Sequence, residues 1–185
     1  MSSGLIEWIT SNKKRRSIII QISLTVGFSA AYAAIESLVL EKYLKALPIT
    51  EQPVLGGLYP YHLFLMLPTF AAVSLLIGHD KRLRSDPTNL RAWARTIINA
   101  LQTFPNLAVM EDAMYFVIRG FDPRYPDTYG IHNIRPEDWT CLHHGGCVDA
   151  GFTQIPVWYF AGMALSTLSW IIDNLVFKQQ QKKGY

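Results

Sequence analysis

The sequence predicts an all-α integral membrane protein, a four-transmembrane-helix bundle with a long loop capping one end. Half of the 185 residues are apolar and 17% are charged, against roughly 25% charged in soluble domains. The apolar residues are gathered into four blocks separated by polar segments, each block about the 20 residues that cross the hydrocarbon as a helix. Lysine and arginine lie in three clusters beside these blocks, and all three fall on one side of a membrane only if the chain crosses it four times.

The first span covers about residues 17–40, uncharged as far as Ile35 and interrupted only by Glu36. Residues 13–16, Lys-Lys-Arg-Arg, suggest the start of a secretory signal, but the run is far longer than the apolar region of one, so it is expected to stay in the protein. The second span, about 55–78, holds His62 as its one ionisable side chain apart from tyrosine. The third, about 96–120, is polar enough to suit a surface helix on hydropathy alone, with Asn99, Gln102, Thr103, Asn106, Glu111 and Asp112. Parity of the basic clusters retains it as a span. The fourth, about 155–177, is uncharged up to Asp173, which is expected to be structural and to reach water or a lysine.

Basic residues 13–16, the group Lys81, Arg82, Arg84, Arg91 and Arg95, and Lys178, Lys182 and Lys183 place both termini in the cytoplasm. Residues 121–153 then form the outer cap, expected to be irregular from its Pro and Gly content. Trp139, Trp158 and Tyr159 read as interfacial anchors. Basic residues beside apolar runs, and a net charge of only +3, give no support for nucleic acid as a partner. Lipid is the expected partner, with a homo-oligomer as a further expectation.

Ionisable groups in hydrocarbon are costly, on the order of 2.5 to 3.5 kcal/mol for a central Asp, Lys or Arg, so each calls for a partner or a wet cavity. At 1.5 Å rise per residue, Glu36, His62 and Glu111 lie roughly 6, 10 and 12 Å below the outer ends of their spans. Three helices thus bring acid or imidazole groups to similar depth. They are candidate ligands for a divalent transition metal, zinc or iron, or for metal-free proton handling, or partners in a structural hydrogen bond. On the third helix Asp112, Tyr115 and Arg119 fall within roughly 60° of one another, and Glu111 flanks Tyr115, so these four are candidate catalytic residues. Arg119 reaches Asp112 only by folding back; otherwise it binds headgroup phosphate.

In the cap, Cys141, His143, His144 and Cys147 fall within seven positions. An oxidising outer side favours a Cys141–Cys147 disulfide over a zinc site, because the spacing is unlike common zinc motifs. His143 or His144 is then a candidate fourth metal ligand. No G-x-S-x-G, H-E-x-x-H or phosphate-binding glycine loop occurs. The expected function is a membrane-embedded enzyme acting on a lipid or lipophilic substrate from the outer side. A proton-coupled transporter and a non-catalytic assembly subunit are the alternatives.

Overall fold

The computed structural model describes residues 13–40, 60–121, 134–136, 138–142, 145–151 and 153–178. Within these the protein is mainly helical. Helix α1 (Lys13–Ile35) continues into a π-helical turn, Glu36–Leu40. A second π turn, His62–Met66, leads into α2 (Leu67–Gly78), and the 3-10 turn Lys81–Arg84 joins α2 to α3 (Leu90–Gly120). A four-residue helix α4 (Trp139–Leu142) and strands β1 (Cys147–Asp149) and β2 (Gln154–Pro156) precede α5 (Val157–Ile172), which ends in a π turn, Asp173–Lys178.

Two helical stretches are long and apolar enough to cross a membrane, Ile18–Val39 and Val157–Phe177; His62–Gly78 is apolar but shorter. Helix α3 has the length and lacks the apolar composition, and it is the helix on which α1, α2 and α5 all pack. Contacts along it set the directions. Ser29 donates to the Leu107 carbonyl at 3.0 Å, and Ala33 packs with Tyr115 and Phe116, so α1 runs parallel to α3. Phe70 meets Phe104 while Gly78 abuts Asn99 and Ala100, so α2 runs antiparallel. Tyr159 reaches Asp112 and Asp173 reaches Arg95, so α5 is antiparallel too.

The middle of the core is aromatic. Phe70 is fully buried and stands edge-on to Tyr32 at 5.0 Å, Phe28 at 5.6 Å and Phe104 at 6.5 Å between ring centroids. Edge-to-face pairs add about 0.5–1.5 kcal/mol each beyond their buried area. The polar residues of α3 are absorbed between helices: Asn106 donates to Ser166 at 2.9 Å and to the Gln102 carbonyl at 3.1 Å, and Asn99 donates to the Gly78 carbonyl at 3.3 Å. Asn89 caps α3 by accepting from the Ala92 amide at 2.9 Å, and the helix runs on through Pro105.

At the Leu90 end of α3, Asp80 holds Arg82 through both carboxylate oxygens, at 3.0 and 2.7 Å. Arg95 lies 3.7 Å from Asp80 and donates to Asp173 at 2.9 Å. Asp173 is therefore structural, as expected, but its partner is an arginine of α3 and it is 4% exposed. The Arg82 guanidinium holds the Asp80 carboxyl below its usual range.

The segment expected to be irregular contains ordered pieces. Cys141 and Cys147 are disulfide-bonded with Cα atoms 5.0 Å apart, which joins α4 to β1. Between them Gly145 and Gly146 adopt φ of 88° and 87°, a left-handed turn that other residues rarely take. Strands β1 and β2 pair antiparallel, Val148 opposite Ile155. Residues 154–156 are thus strand, and the final helix begins at Val157, because Pro156 extends the chain at its N-cap.

Candidate functional site

The π turns mark where the site is built. Each of the three opens on a buried ionisable residue: Glu36, His62 and Asp173. A π turn is rare, requires one extra residue per hydrogen-bonded ring, and is frequent at functional sites. Toward the Gly120 end of α3, Glu36 and Glu111 meet. They are 7% and 4% exposed, and their carboxyl groups lie within electrostatic range of each other. Tyr61 donates its hydroxyl to Glu36 Oε1. His62, the next residue, is 1% exposed, with its ring 4.0 Å from that of Tyr61 between centroids. One helical turn before Glu36, Tyr32 is also buried and lies within electrostatic range of both glutamates.

Asp112 faces a different wall. Its Oδ2 accepts from the Tyr159 hydroxyl at 2.6 Å and from the Thr140 hydroxyl at 3.0 Å, and Thr140 accepts from Trp158 Nε1 at 2.9 Å. This chain ties α3, α4 and α5 together. Consecutive acids on a helix point about 100° apart, which is why Glu111 serves the α1 side and Asp112 the α5 side. Arg119 pairs with Asp138 of the cap at 3.8 Å, and its guanidinium carbon lies 6.0 Å from the Tyr115 ring centroid. The fold-back to Asp112 is therefore replaced by a partner above it.

Several buried polar atoms have no hydrogen-bond partner among the described residues: Glu111 Oε1, Asp112 Oδ1 and the Tyr32 hydroxyl. Buried polar groups are paired in the great majority of cases, and an orphan costs about 1–3 kcal/mol. The three are 4%, 2% and 8% exposed.

The structure thus brings Glu36 and Glu111 together and sets His62 beside the tyrosine that bonds Glu36, while Asp112 turns to Tyr159 and Thr140 and Arg119 to Asp138 of the cap. His143 and His144 lie outside the described residues. Among the described residues no three His, Cys, Asp or Glu side chains form a group that could hold a metal ion. Tyr61 and Tyr32 are additions to the sequence reading. Tyr32 carried a signal, its four-residue spacing from Glu36, which puts both on one face. Trp158 and Tyr159, expected as interfacial anchors, turn their polar atoms inward to Thr140 and Asp112; Tyr159 is buried. No protein-family model matches the chain, and no curated protein or solved structure is significantly similar to it.

Proposed function

We propose that the chain is a four-span membrane enzyme whose working centre is the Glu36–Glu111 pair, moving protons on a lipophilic substrate that enters from the bilayer. Both termini are cytoplasmic in this reading and residues 121–153 lie outside. The parity of the basic clusters supports it, and so do the alternating helix directions. Exposed apolar residues such as Phe64 and Leu76, at 80% and 77%, suit a lipid-facing surface. Helix α3, the most polar of the four, packs against the other three with Asn99 and Asn106 turned between them, and the residues it leaves exposed include Trp93, Ile97 and Leu101.

The observation that carries the reading is two buried carboxyls, from two helices, brought together in the interior, one of them accepting from Tyr61. Burying ionisable groups rarely adds stability over an apolar pair of the same shape. Intramembrane ionisable residues are functional by default. One carboxyl holding the proton acts as acid, its ionised neighbour acts as base, and Tyr61 steadies the anion by donating to Glu36. General acid–base groups contribute about 10²–10⁴-fold to rate. Lipid extracts of cells producing the wild type, Glu36→Gln and Glu111→Gln at equal abundance test this. A lipid pool converted by the wild type and restored in both variants is expected; three identical extracts overturn the enzyme reading.

A zinc or iron cofactor is a separate element of the proposal. Glu36 and Glu111 supply two oxygen donors, whereas catalytic zinc takes three protein ligands, so the described residues fall short of the set. Completion falls to His143 or His144. Elemental analysis of purified protein decides: one metal per chain, lost in His143→Ala or His144→Ala, supports it, and no metal after metal-replete growth removes it.

A second reading, proton transport, draws on the polar side chains that continue along α3 from Glu111 through Asn106 and Asn99 to Arg95. Proton uptake into liposomes that Glu111→Gln abolishes, without any lipid conversion, would favour it.

A further inference from the structure

The orphaned atoms at the centre describe a ligand. Glu111 Oε1 is a carboxyl acceptor without a donor among the described residues, and the Tyr32 hydroxyl, unpartnered as well, accepts as readily as it donates. Whatever satisfies them must present hydrogen-bond donors. The charge balance is one-sided as well. Among the described residues Glu36 and Glu111 are the acids of the cluster, with Asp112 next to them in sequence, and Arg119 of the same helix is engaged by Asp138 of the cap.

We propose that the Glu36–Glu111 centre recognises a protonated primary amine carried on an apolar chain, an inference that rests on the reading of this pair as the working centre. An ammonium group offers three donors and one positive charge, and it answers both the orphaned acceptors and the excess of acid. A hydroxyl answers only the first, and a phosphate or carboxylate headgroup is repelled. The apolar chain has a surface to follow: Leu38 and Val39, in the turn that Glu36 opens, and Phe64 and Leu65, in the turn that His62 opens, are all exposed. The head enters between the π turns and the tail stays in the bilayer.

Thermal unfolding of the full chain in a neutral detergent, with dodecylamine, dodecyltrimethylammonium or dodecanol added, tests the assignment. Dodecylamine raises the midpoint of the wild type in a saturable way, and the other two do not. Tyr32→Phe, which removes one oxygen and keeps the ring, shifts the dodecylamine concentration at half effect roughly tenfold upward. Glu111→Gln loses the effect, with helicity checked by circular dichroism. An equal shift with the quaternary ammonium or the alcohol, no shift with the amine, or a shift unchanged in Tyr32→Phe and Glu111→Gln overturns the proposal. Lipid conversion that persists while amine binding fails would leave the enzyme reading standing with a different substrate class.

Discussion

At the scale of single residues, the buried acids differ in what holds them. Asp112 is bonded to Tyr159, Thr140 and, through Thr140, Trp158, so it fastens the cap and α5 to α3. Removing one hydroxyl from that chain, as in Tyr159→Phe, leaves a buried carboxylate oxygen short of a donor and is expected to cost about 1–3 kcal/mol, read as a lowered thermal midpoint. Tyr61→Phe makes a contrasting case. It removes the donor to Glu36 and is expected to depress lipid conversion more than stability, measured by comparing turnover with unfolding midpoints in the same preparations. The acids themselves were legible in the sequence, because a charged residue in an apolar run has few innocent explanations. Their tyrosine partners were not, since a tyrosine near a span end satisfies the interfacial rule equally well and only the fold shows which way its hydroxyl points.

Among elements, close approach of α2 and α5 to α3 depends on two glycines. A Cβ on Gly78 would lie 2.9 Å from the Ala100 backbone nitrogen, which cannot move without the helix, whereas one on Gly162 would meet Val109 Cγ2 at 3.1 Å, a methyl that can turn away. Gly78→Ala is therefore expected to destabilise the protein clearly more than Gly162→Ala, with thermal midpoints as the measure. The turn after α2 carries the acid-sensitive contact. Because Arg82 lowers the carboxyl of Asp80, that ion pair contributes fully above the ordinary aspartate pKa near 3.8 and is lost as pH falls through the lowered value. An acid titration of the thermal midpoint is expected to lose part of its fall below pH ~4 in Asp80→Asn. Element positions for α1, α2 and α5 followed from apolar block length. The start of α5 and the hairpin before it escaped, because Ile155 and Pro156 read as the beginning of an apolar run when they are strand.

For the whole molecule, the arrangement centres on α3, on which the other three long helices pack. By length and hydropathy two helices could cross a membrane, and a third apolar helix is shorter. The basic clusters supply the rest by counting, and the packing of α1, α2 and α5 on α3 fits that count. Single-cysteine labelling from intact and permeabilised cells, on chains otherwise retaining their disulfide, checks it. Sites in residues 81–95 and 179–185 are expected to react only after permeabilisation and sites in 145–151 before it. The reverse pattern in either group would remove the four-span topology and leave the helix packing untouched.

Thr140, whose hydroxyl holds Asp112, is followed directly by Cys141. The last wall of the centre is thus joined to the rest of the cap by a bond that only an oxidising compartment makes. In the proposed topology the cap meets an oxidant only after it has crossed the membrane, so this wall is the part of the centre that is fastened last.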